Sequence, residues 1–442
     1  MLFVKVNKDK VSKEFYKKLV FSILVCLLWG GFVHCDSFEN FYTDYFGNFE
    51  SFIDQHEGES TFSSLNVPFG GRAEALAGNF TALANDISFF EYNPAASSIL
   101  KNTELALFHS FWIADSYVDT LAFSIRQNNL GLGTFVKCLY LPFTEYNIFG
   151  QEVNSSFYSE SILGFNVSYN ILAGYNFKGL ATGATIKLGY RSMPDYVDNE
   201  TNELINNSGK SQSAFAILGD FGIKTSFNLL KQFESREPNL HFGISLMNVG
   251  IAFEKTGANL AMPTQLNCGF SWNMLKPITL TLEVKKPVNL AKFSNSGTLS
   301  YGAGLIYNIT EGISIQAGFL LKGGNPRITL GAEFPVQKFT FDLNYTFDAT
   351  TSFSTISKFS LAAKVHFGDR GRSVEQDIID NLYVEGLQLY AEGYYEEAIA
   401  KWEKILIYNK RYDPAKSAII TAEETLALRN RIIKLQTIDD SE

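Results

Sequence analysis

The chain has 442 residues, a formal net charge of −9 at pH 7, and an aromatic content of 14% that comes mainly from 39 Phe and 21 Tyr residues. No basic patch stands out beyond about the first 20 residues, so the composition does not favour a nucleic-acid partner. The four cysteines are too scattered for a disulfide framework, and no spacing typical of metal ligands occurs. We therefore expect neither a metal nor another cofactor.

Residues 1–35 are predicted to be a signal peptide for export. Six lysines precede an apolar run of 15 residues, which is too short for a membrane-spanning helix. The run ends in Val33-His34-Cys35, which fits a cleavage site, so the mature chain would begin at Asp36. The alternative is lipidation of Cys35, although His34 is a poor residue to precede a lipidated cysteine.

Residues 36–62 are predicted to form an acidic leader. Its apolar residues, most of them aromatic, recur at helical spacing between Phe38 and Ile53. The leader contains seven acidic residues and no Lys or Arg. Two interpretations stay open: an amphipathic helix that docks on a partner or on the C-terminal part of the chain, or a disordered leader. In either case we expect it in the periplasm.

Residues 63–103 form a segment rich in Ala and Gly. It includes the stretch GGRAEALAGNFTALANDISFFEYNPAASSIL (70–100), which lacks the Gly-Lys-Ser/Thr of a phosphate-binding loop. Asn93 precedes Pro94, and a residue before proline is biased away from the helix, so a turn is expected there. The small side chains would let this segment pack closely against surrounding structure.

Residues 104–367 alternate between apolar and polar side chains. Phe339, Phe341 and Leu343, for example, are separated by Thr340 and Asp342, and this period of two predicts β-strands. Fourteen such segments are expected, at 104–113, 117–127, 130–142, 158–171, 179–192, 212–225, 239–249, 263–275, 277–286, 297–308, 312–322, 326–335, 338–347 and 357–367.

The predicted strands have the length and connections of a membrane barrel. Most have about 10–14 residues, whereas a tilted membrane strand needs roughly 9–11 and a typical soluble strand has roughly 5–6. Connections after even-numbered strands are mostly short and those after odd-numbered strands are often long, as in outer-membrane barrels. The long connection 226–238 does not fit this rule. The alternative, a water-soluble all-β protein, would have to bury the large apolar faces in an internal core.

The segment before the first strand resembles a known gate. The order Gly-x-Arg-x-x-Ala-Leu-Ala (70–77), the Ala and Asp residues at 82, 84 and 86, and Asn-Pro-Ala (93–95) resemble the N-terminal hatch of the FadL family. That family consists of outer-membrane channels for long-chain fatty acids and other hydrophobic molecules. The resemblance covers about residues 60–367 and is nearest to treponemal FadL-like proteins, which also carry a helical tail.

The resemblance implies a 14-stranded barrel whose outer wall contacts outer-membrane lipid. A hatch formed by residues 63–103 would block the inside of this barrel. The hatch and gating residues that it singles out are Gly70, Gly71, Arg72, Asp86, Asn93, Pro94 and Ala95. It also implies an inward kink in the third strand, 130–142, that opens a lateral exit to the bilayer. We favour the simpler interpretation that Pro142 ends this strand.

Five inward residues are candidates for holding the carboxylate of a fatty acid, which needs an apolar pocket and a cation or donor. They are Lys285, Arg327, Lys358, Lys364 and His366. The alternative, which we favour for any single residue, is that these side chains pair with Glu283, Glu333 and Asp342 inside the barrel.

Residues 368–373 are predicted to be a linker and 374–442 a periplasmic helical domain. Its Gly, Tyr, Ala and Trp residues resemble a tetratricopeptide repeat followed by one more helix. The residues concerned are Gly386, Gly393, Tyr395, Ala398, Trp402 and Pro414. We expect this domain to dock a periplasmic protein, with Tyr395 and Trp402 on its packing face. The alternative is a structural tail or plug.

These observations predict a gated outer-membrane channel for long-chain fatty acids or other hydrophobic nutrients in a diderm bacterium, with the N-terminal and C-terminal segments in the periplasm. The alternative function is a barrel that serves as a protein-binding or secretion scaffold. No enzyme activity is predicted, because the sequence lacks Gly-x-Ser-x-Gly. Of its five histidines only His241 and His366 are expected to face the lumen, whereas a membrane-embedded hydrolase needs its triad on the lipid-exposed edge.

Overall fold

The computed structural model describes residues 60–439, apart from 113–114, 147–148, 196–197, 199–204, 206, 234, 236, 255–260, 311–312, 323–324 and 349–355. The described residues belong to one compact unit, Asp54–Glu442. The predicted signal peptide, Cys35 and the acidic leader up to residue 59 lie outside the described residues. None of the described helices combines the length and apolar composition that a membrane crossing requires.

Fourteen antiparallel strands close into a barrel, in which each strand pairs with its sequence neighbours and the first pairs with the last. The strands are β1 Glu104–Phe111, β2 Tyr117–Gln127, β3 Leu130–Tyr146, β4 Glu152–Ile171, β5 Leu180–Ser192, β6 Ala214–Phe227, β7 Leu240–Glu254, β8 Gln265–Leu275, β9 Ile278–Pro287, β10 Ser300–Thr310, β11 Ile313–Lys322, β12 Asn325–Val336, β13 Phe339–Asp348 and β14 Ile356–His366. The prediction of a 14-stranded transmembrane barrel is confirmed.

The alternation along each strand separates an apolar outer face from a polar inner face. Outward Ile186 and Phe221 are 60% and 58% exposed, whereas inward Asp342, Ser360 and Lys364 are buried. A wall whose exposed side chains are large and apolar is stable against lipid and not against water. The water-soluble alternative is therefore wrong, because the large apolar faces point outward and form no internal core.

The two ends of the barrel differ in their connections. Short turns such as 128–129, 276–277 and 337–338 follow even-numbered strands, and we call this side the turn end. Longer connections such as 193–213 and 288–299 follow odd-numbered strands and define the loop end. The connection between β6 and β7 at the turn end is long, as the sequence had indicated.

Strand β3 does not end at Pro142, so that prediction is wrong. Pro142 pairs with Phe157, and the pairing with β4 continues to Glu145 without a register shift at the proline. Beyond Tyr140, β3 no longer has β2 as a neighbour, because β2 begins at Tyr117 opposite Tyr140. A proline is tolerated at such an edge because its missing N–H leaves no ladder bond unmade. The β3–β4 hairpin therefore projects beyond the wall.

Residues 60–103, which we call the interior segment, run through the barrel from one end to the other. At the loop end Ser60 pairs with Ala261. At the turn end the N–H of Thr103 donates to the carbonyl of Gly368 at 2.8 Å. Residues 60–62, assigned to the leader from the sequence, belong to this segment, since Phe62 is buried against the start of β6.

The interior segment replaces the water of an open pore with a packed core. It folds into helix α1 (Gly71–Ala75) and three 3-10 turns at Ser63–Asn66, Ile87–Glu91 and Pro94–Ser98. Its Phe80, Phe89 and Phe90 pack with the inward Phe108 and Phe135 of the wall. Burying side chains of this size contributes about 1.5–3 kcal/mol each, so the segment is an integral part of the fold.

Inward glycines let the backbone of the interior segment approach the wall. A Cβ at Gly183 would overlap the carbonyl of Pro94, and one at Gly222 would overlap the side chain of Asn93. Only glycine permits such close approach of another backbone. The same relation to the interior segment holds at Gly131, Gly243, Gly302 and Gly318.

The C-terminal helical region contains helix α3 (Arg372–Glu392), helix α4 (Tyr395–Tyr408) and helix α5 (Asp413–Asp439). A short helix α2 (Ser208–Gln212) lies earlier, in the β5–β6 connection. Gly386 lies directly against the indole of Trp402, so α3 and α4 pack closely. Gly393 ends α3 with a φ of 89°, a left-handed conformation that glycine adopts easily. The identification as a tetratricopeptide repeat stays a prediction.

Candidate functional site

A cavity of about 380 Å³ lies between the interior segment and the wall at the loop end. Ala77, Gly78 and Tyr92 of the interior segment line it from below. Further lining comes from other residues of the interior segment, from the connections before β2 and β8, and from strands β9 to β14. This volume lies within the range of small-molecule sites.

Three of the five predicted inward cations line this cavity together. They are Lys285, Arg327 and Lys358, and Lys322 of β11 joins them. The lining carboxylates are Glu74 and Glu91, so four cations face two anions and the charged lining sums to +2. Apolar lining comes from Leu65, Val67, Trp112, Met262, Val288 and Leu320. The cavity thus offers a positively charged wall beside an apolar surface.

Two of these cations also hold the interior segment in place. Lys285 Nζ donates to the carbonyl of Gly78 at 2.6 Å and lies 3.7 Å from Glu283. Lys358 Nζ donates to the carbonyl of Pro68 at 2.9 Å and to Glu74 at 3.2 Å. The internal pairing considered from the sequence is therefore present at Lys285, whereas Lys358 pairs with Glu74 of the interior segment, a partner that was not expected. Because both lysines line the cavity, their contact with a ligand stays a prediction.

The other two predicted cations lie outside the cavity lining. Lys364 Nζ is 2.5 Å from Asp86, 2.7 Å from Asp342 and 4.0 Å from Glu333. Arg72 forms two hydrogen bonds to Glu333, at 2.9 and 2.5 Å. We call these five residues the charge cluster. It joins the interior segment to β12, β13 and β14. His366 lies nearer the turn end, 3.3 Å from Glu104.

The two charge-cluster residues of the interior segment stay ionised despite deep burial. Burial alone would raise the pKa of Asp86, but the Lys364 ammonium and the Arg72 guanidinium outweigh it and hold this pKa at about 2. Burial alone would lower the pKa of Arg72, but Glu333 and Asp86 outweigh it and raise this pKa. The charge cluster therefore acts as an ionic lock between the interior segment and the wall.

The Asn93-Pro94-Ala95 motif is packed against β4 to β6, away from the cavity. Asn93 Nδ2 donates to the carbonyls of Thr81 and Ile223, and its Oδ1 accepts the N–H of Ala95. The carbonyl of Pro94 accepts a hydrogen bond from Asn166 at 2.9 Å. The motif thus anchors the interior segment to the wall, and its part in gating stays a prediction.

The floor of the cavity is conformationally strained. Ala77 has a φ of 54° and Gly78 a φ of 76°, and a left-handed alanine costs about 1–3 kcal/mol. Gly70 and Gly71, the predicted hatch glycines, also have positive φ values, of 127° and 68°, where α1 begins. Such strain persists only while surrounding contacts hold it, and the Lys285 bond to Gly78 is one of those contacts.

The two residues predicted for partner docking differ in position. Trp402 is only 1% exposed, and its indole N–H donates to the carbonyl of Tyr383, so it belongs to the core of the helical region. Tyr395 is half-buried and packs against Tyr390. A partner could contact Tyr395 directly, whereas it could contact only the residues that surround Trp402. Docking itself stays a prediction.

Sequence reasoning missed two attachments of the helical region to the turn end. Arg372, the first residue of α3, donates to the carbonyls of Arg126, Leu100 and Lys101. In the β4–β5 turn, Asn176 donates to Asp413 at 3.0 Å, and the Tyr175 ring lies 5.0 Å from that of Tyr412.

Sequence reasoning also missed inward charges in the first half of the barrel. Lys137 pairs with Glu91 at 2.6 Å, and Lys187 pairs with Asp220 at 2.7 Å. Lys224 donates to backbone carbonyls of the interior segment. The period-two pattern of these strands places each of the three lysines on the inner face, so the same reasoning that found Lys285 could have found them.

The sequence profile of the uncharacterised protein family UPF0164 matches residues 46–370. Two similar curated proteins, both called UPF0164 protein, come from Treponema pallidum (strain Nichols). One is 28% identical over 388 residues, covering 86% of this chain and 86% of the relative. Another is 27% identical over 384 residues, covering 84% of this chain and 76% of the relative. The prediction of treponemal relatives is confirmed.

Two solved structures are similar to this chain at low sequence identity. The toluene transporter TbuX of Ralstonia pickettii is 14% identical with a TM-score of 0.44, covering 68% of this chain and 98% of that chain. A deltaS2 mutant of the monoaromatic hydrocarbon channel TodX is 14% identical with a TM-score of 0.43, covering 67% of this chain and 97% of that chain.

Proposed function

The chain belongs to the uncharacterised protein family UPF0164, and we propose that it is an outer-membrane channel that takes up hydrophobic molecules, long-chain fatty acids among them. The observation that carries the proposal is the cavity at the loop end, whose floor is the strained Ala77-Gly78 step of the interior segment. The interior segment is packed against the barrel wall, so a ligand that passes through the barrel would require this segment to move.

The lining of the cavity suits an amphiphile with a carboxylate head. Leu65, Met262 and Leu320 would contact the hydrocarbon, and the carboxylate would face Lys285 and Lys358. The Lys285 ammonium has three N–H donors, so it can bind a carboxylate and the carbonyl of Gly78 together. A carboxylate that draws this ammonium toward itself would weaken one of the contacts that hold the strained floor.

The interior segment would then act as the hatch that the resemblance to the FadL family implies. Arg72 and Asp86 hold it at the charge cluster, and the Asn93-Pro94-Ala95 motif holds it at the opposite wall. We place the loop end outside the cell and the turn end in the periplasm, because outer-membrane barrels have long outer loops and short periplasmic turns. The helical region would then dock a periplasmic carrier protein.

The proposal is tested by a reversible lock on the interior segment. Ser97 Oγ lies 2.6 Å from Ser168 Oγ on β4, so S97C/S168C can form a disulfide between segment and wall. The wall cysteines Cys138 and Cys268 are first replaced by Ala. Uptake of a fluorescent long-chain fatty acid into proteoliposomes is measured in the oxidised and the reduced protein.

We expect saturable uptake by the reduced protein, loss of uptake on oxidation and recovery on reduction. The single variant S97C, oxidised in the same way, controls for the oxidant. Uptake that persists with the disulfide formed would show that the interior segment is not the gate. No uptake above empty liposomes by the folded, reduced barrel would refute the channel function.

A scaffold function is the second candidate, and the projecting β3–β4 hairpin favours it. Beyond Tyr140 this hairpin extends past the wall as a two-stranded ribbon, with Thr144 paired to Ser155. A ribbon of this kind offers an edge for a protein partner. Deleting residues 143–155 should abolish surface capture of such a partner and leave uptake unchanged if the scaffold function is correct.

A further inference from the structure

One row of polar side chains interrupts the apolar outer face of the barrel. His109 of β1, Asp119 of β2, Cys138 of β3 and Ser161 of β4 are consecutive partners in register. His109 Nδ1 lies 2.6 Å from Asp119, with 36% and 55% of the two side chains exposed. Cys138 Sγ lies 3.6 Å from Ser161 Oγ. We call these four residues the polar row.

The polar row lies within the apolar band, one layer of side chains below its aromatic margin. On the turn-end side it is bordered by Leu107, Leu121 and Val136, all exposed. On the loop-end side it is bordered by stacked aromatic rings, among them Tyr117 and Tyr140 with centroids 5.0 Å apart. Aromatic belts mark the headgroup level, and two residues along a tilted strand correspond to a depth of roughly 5 Å.

A carboxylate in this position requires an explanation. Among the strand residues outside the projecting β3–β4 hairpin whose side chains the structure describes, Asp119 is the one carboxylate that points outward. An ionisable side chain toward lipid is destabilising unless it finds a polar partner, and such residues commonly mark functional surfaces. His109 satisfies one side of Asp119, but the exposed parts of all four side chains still face the bilayer.

We propose that the polar row is the contact surface for a second copy of this chain, so that two barrels associate side by side in the membrane. The inference is independent of what the barrel transports. Two convex barrels touch along a strip only a few strands wide, and the polar row spans four strands, or roughly 14 Å. Polar side chains at such a contact hydrogen-bond across it instead of facing lipid.

The two central side chains of the polar row are complementary across a two-fold axis. An axis along the membrane normal, placed between Asp119 and Cys138, brings Asp119 of each copy close to Cys138 of the other. Because the row crosses tilted strands, the two rows cross at this axis, and His109 and Ser161 of opposite copies lie at different depths. The pairing near the axis joins a donor to an acceptor, the thiol S–H to a carboxylate.

The chain carries its own probe and control for this contact. Cys138 lies in the polar row, whereas Cys268 is exposed on β8, on a different part of the wall. The full-length protein, with Cys26 and Cys35 replaced by Ala in every variant, is reconstituted into lipid vesicles and treated with a short bis-maleimide. The variant C268A retains Cys138 and should give a cross-linked dimer. The variant C138A retains Cys268 and should not.

Two further changes in the C268A background test the polar row itself. H109L/D119L makes the outer face apolar, which a membrane barrel tolerates, and should abolish the cross-linked dimer. S161W adds bulk at the contact and should abolish it as well, while I217W on β6, also facing lipid, should leave it intact. Folding of every variant is checked by the heat-dependent gel mobility of the intact barrel.

Equal cross-linking through Cys138 and Cys268 would overturn the proposal, because it would reflect random collision. Cross-linking that survives both H109L/D119L and S161W would also overturn it. A monomeric wild-type protein in vesicles would assign the polar row to contact with lipid headgroups instead.

Discussion

Removing the charge of Lys364 should be among the most damaging single changes in the barrel. Its ammonium lies 2.5 Å from Asp86, 2.7 Å from Asp342 and 4.0 Å from Glu333. Replacing Lys364 by Met keeps much of the side-chain volume and leaves three buried carboxylates with Arg72 as the remaining cation of the charge cluster. The perturbation therefore tests electrostatics more than packing.

The magnitude follows from the geometry of these contacts. At an effective dielectric constant of about 20, opposite charges 4 Å apart attract by about 4 kcal/mol, and two of the three contacts are shorter. Most of this attraction offsets the cost of taking the ammonium out of water. Breaking a buried pair by removing one partner has a net cost of about 3–5 kcal/mol, and we expect a loss of this size for K364M at pH 7.

The loss is measured by urea unfolding of the refolded barrel in detergent, followed by tryptophan fluorescence. K364R, which keeps the cation, should retain most of the stability. K358M is a matched control, because Lys358 contacts one carboxylate, that of Glu74, at 3.2 Å. This variant should lose less free energy of unfolding than K364M. Hydrogen exchange should show α1 and residues 86–91 opening first. A K364M protein whose free energy of unfolding lies within about 1 kcal/mol of wild type would refute the ionic lock. Such a difference is smaller than the 1.36 kcal/mol that corresponds to a shift of one pKa unit.

Three further predictions follow from other contacts of the interior segment. G183V should force Pro94 off the wall and destabilise the barrel by at least about 1–3 kcal/mol in the same unfolding assay, whereas G219A, whose Cβ meets only ordinary contacts, should not. R372A should remove three hydrogen bonds to the turn end and speed proteolysis at residues 368–371 by about tenfold, equivalent to 1.4 kcal/mol. The control variant R370A should be cleaved at the wild-type rate. Equal cleavage rates for R372A and the wild type would contradict the attachment. The pKa of Asp86 is lowered, so its stabilisation is present above its unfolded pKa of 3.8 and is lost as the pH falls through about 2. Stability measured from pH 5 to pH 2 should therefore fall less steeply in D86N than in the wild type, and parallel curves would refute this assignment.

The strands could be predicted from the sequence because their signal is local. Phe339, Phe341 and Leu343 alternate with polar residues whatever the rest of the chain does, and a period of two has one structural meaning. The length of these runs also indicated a membrane strand. The largest errors fell on the start of β4 and on the ends of β7 and β3, where each strand extends further than its alternation indicated.

The candidate site could be predicted only in part. The alternation of side chains along each strand placed Lys285, Arg327 and Lys358 on the inner face. The same alternation does not show how deep in the barrel each side chain lies. Lys364 was therefore also predicted to be a candidate ligand contact, although it lies in the charge cluster and not in the cavity lining. The strain at Ala77-Gly78 has no sequence signal, because the surrounding contacts impose it on an ordinary alanine.

The sequence by itself determined which residues form strands, which face of each strand meets lipid, and that a small-residue segment precedes them. These properties depend on neighbours within a few residues. Barrel closure decided the rest, because it brings Arg72 to Glu333 across 261 positions and sets Asn93 against Gly222. An ionic lock, a cavity and a polar row across four strands arise only when separate strands are brought into register, and register is a property of the closed sheet.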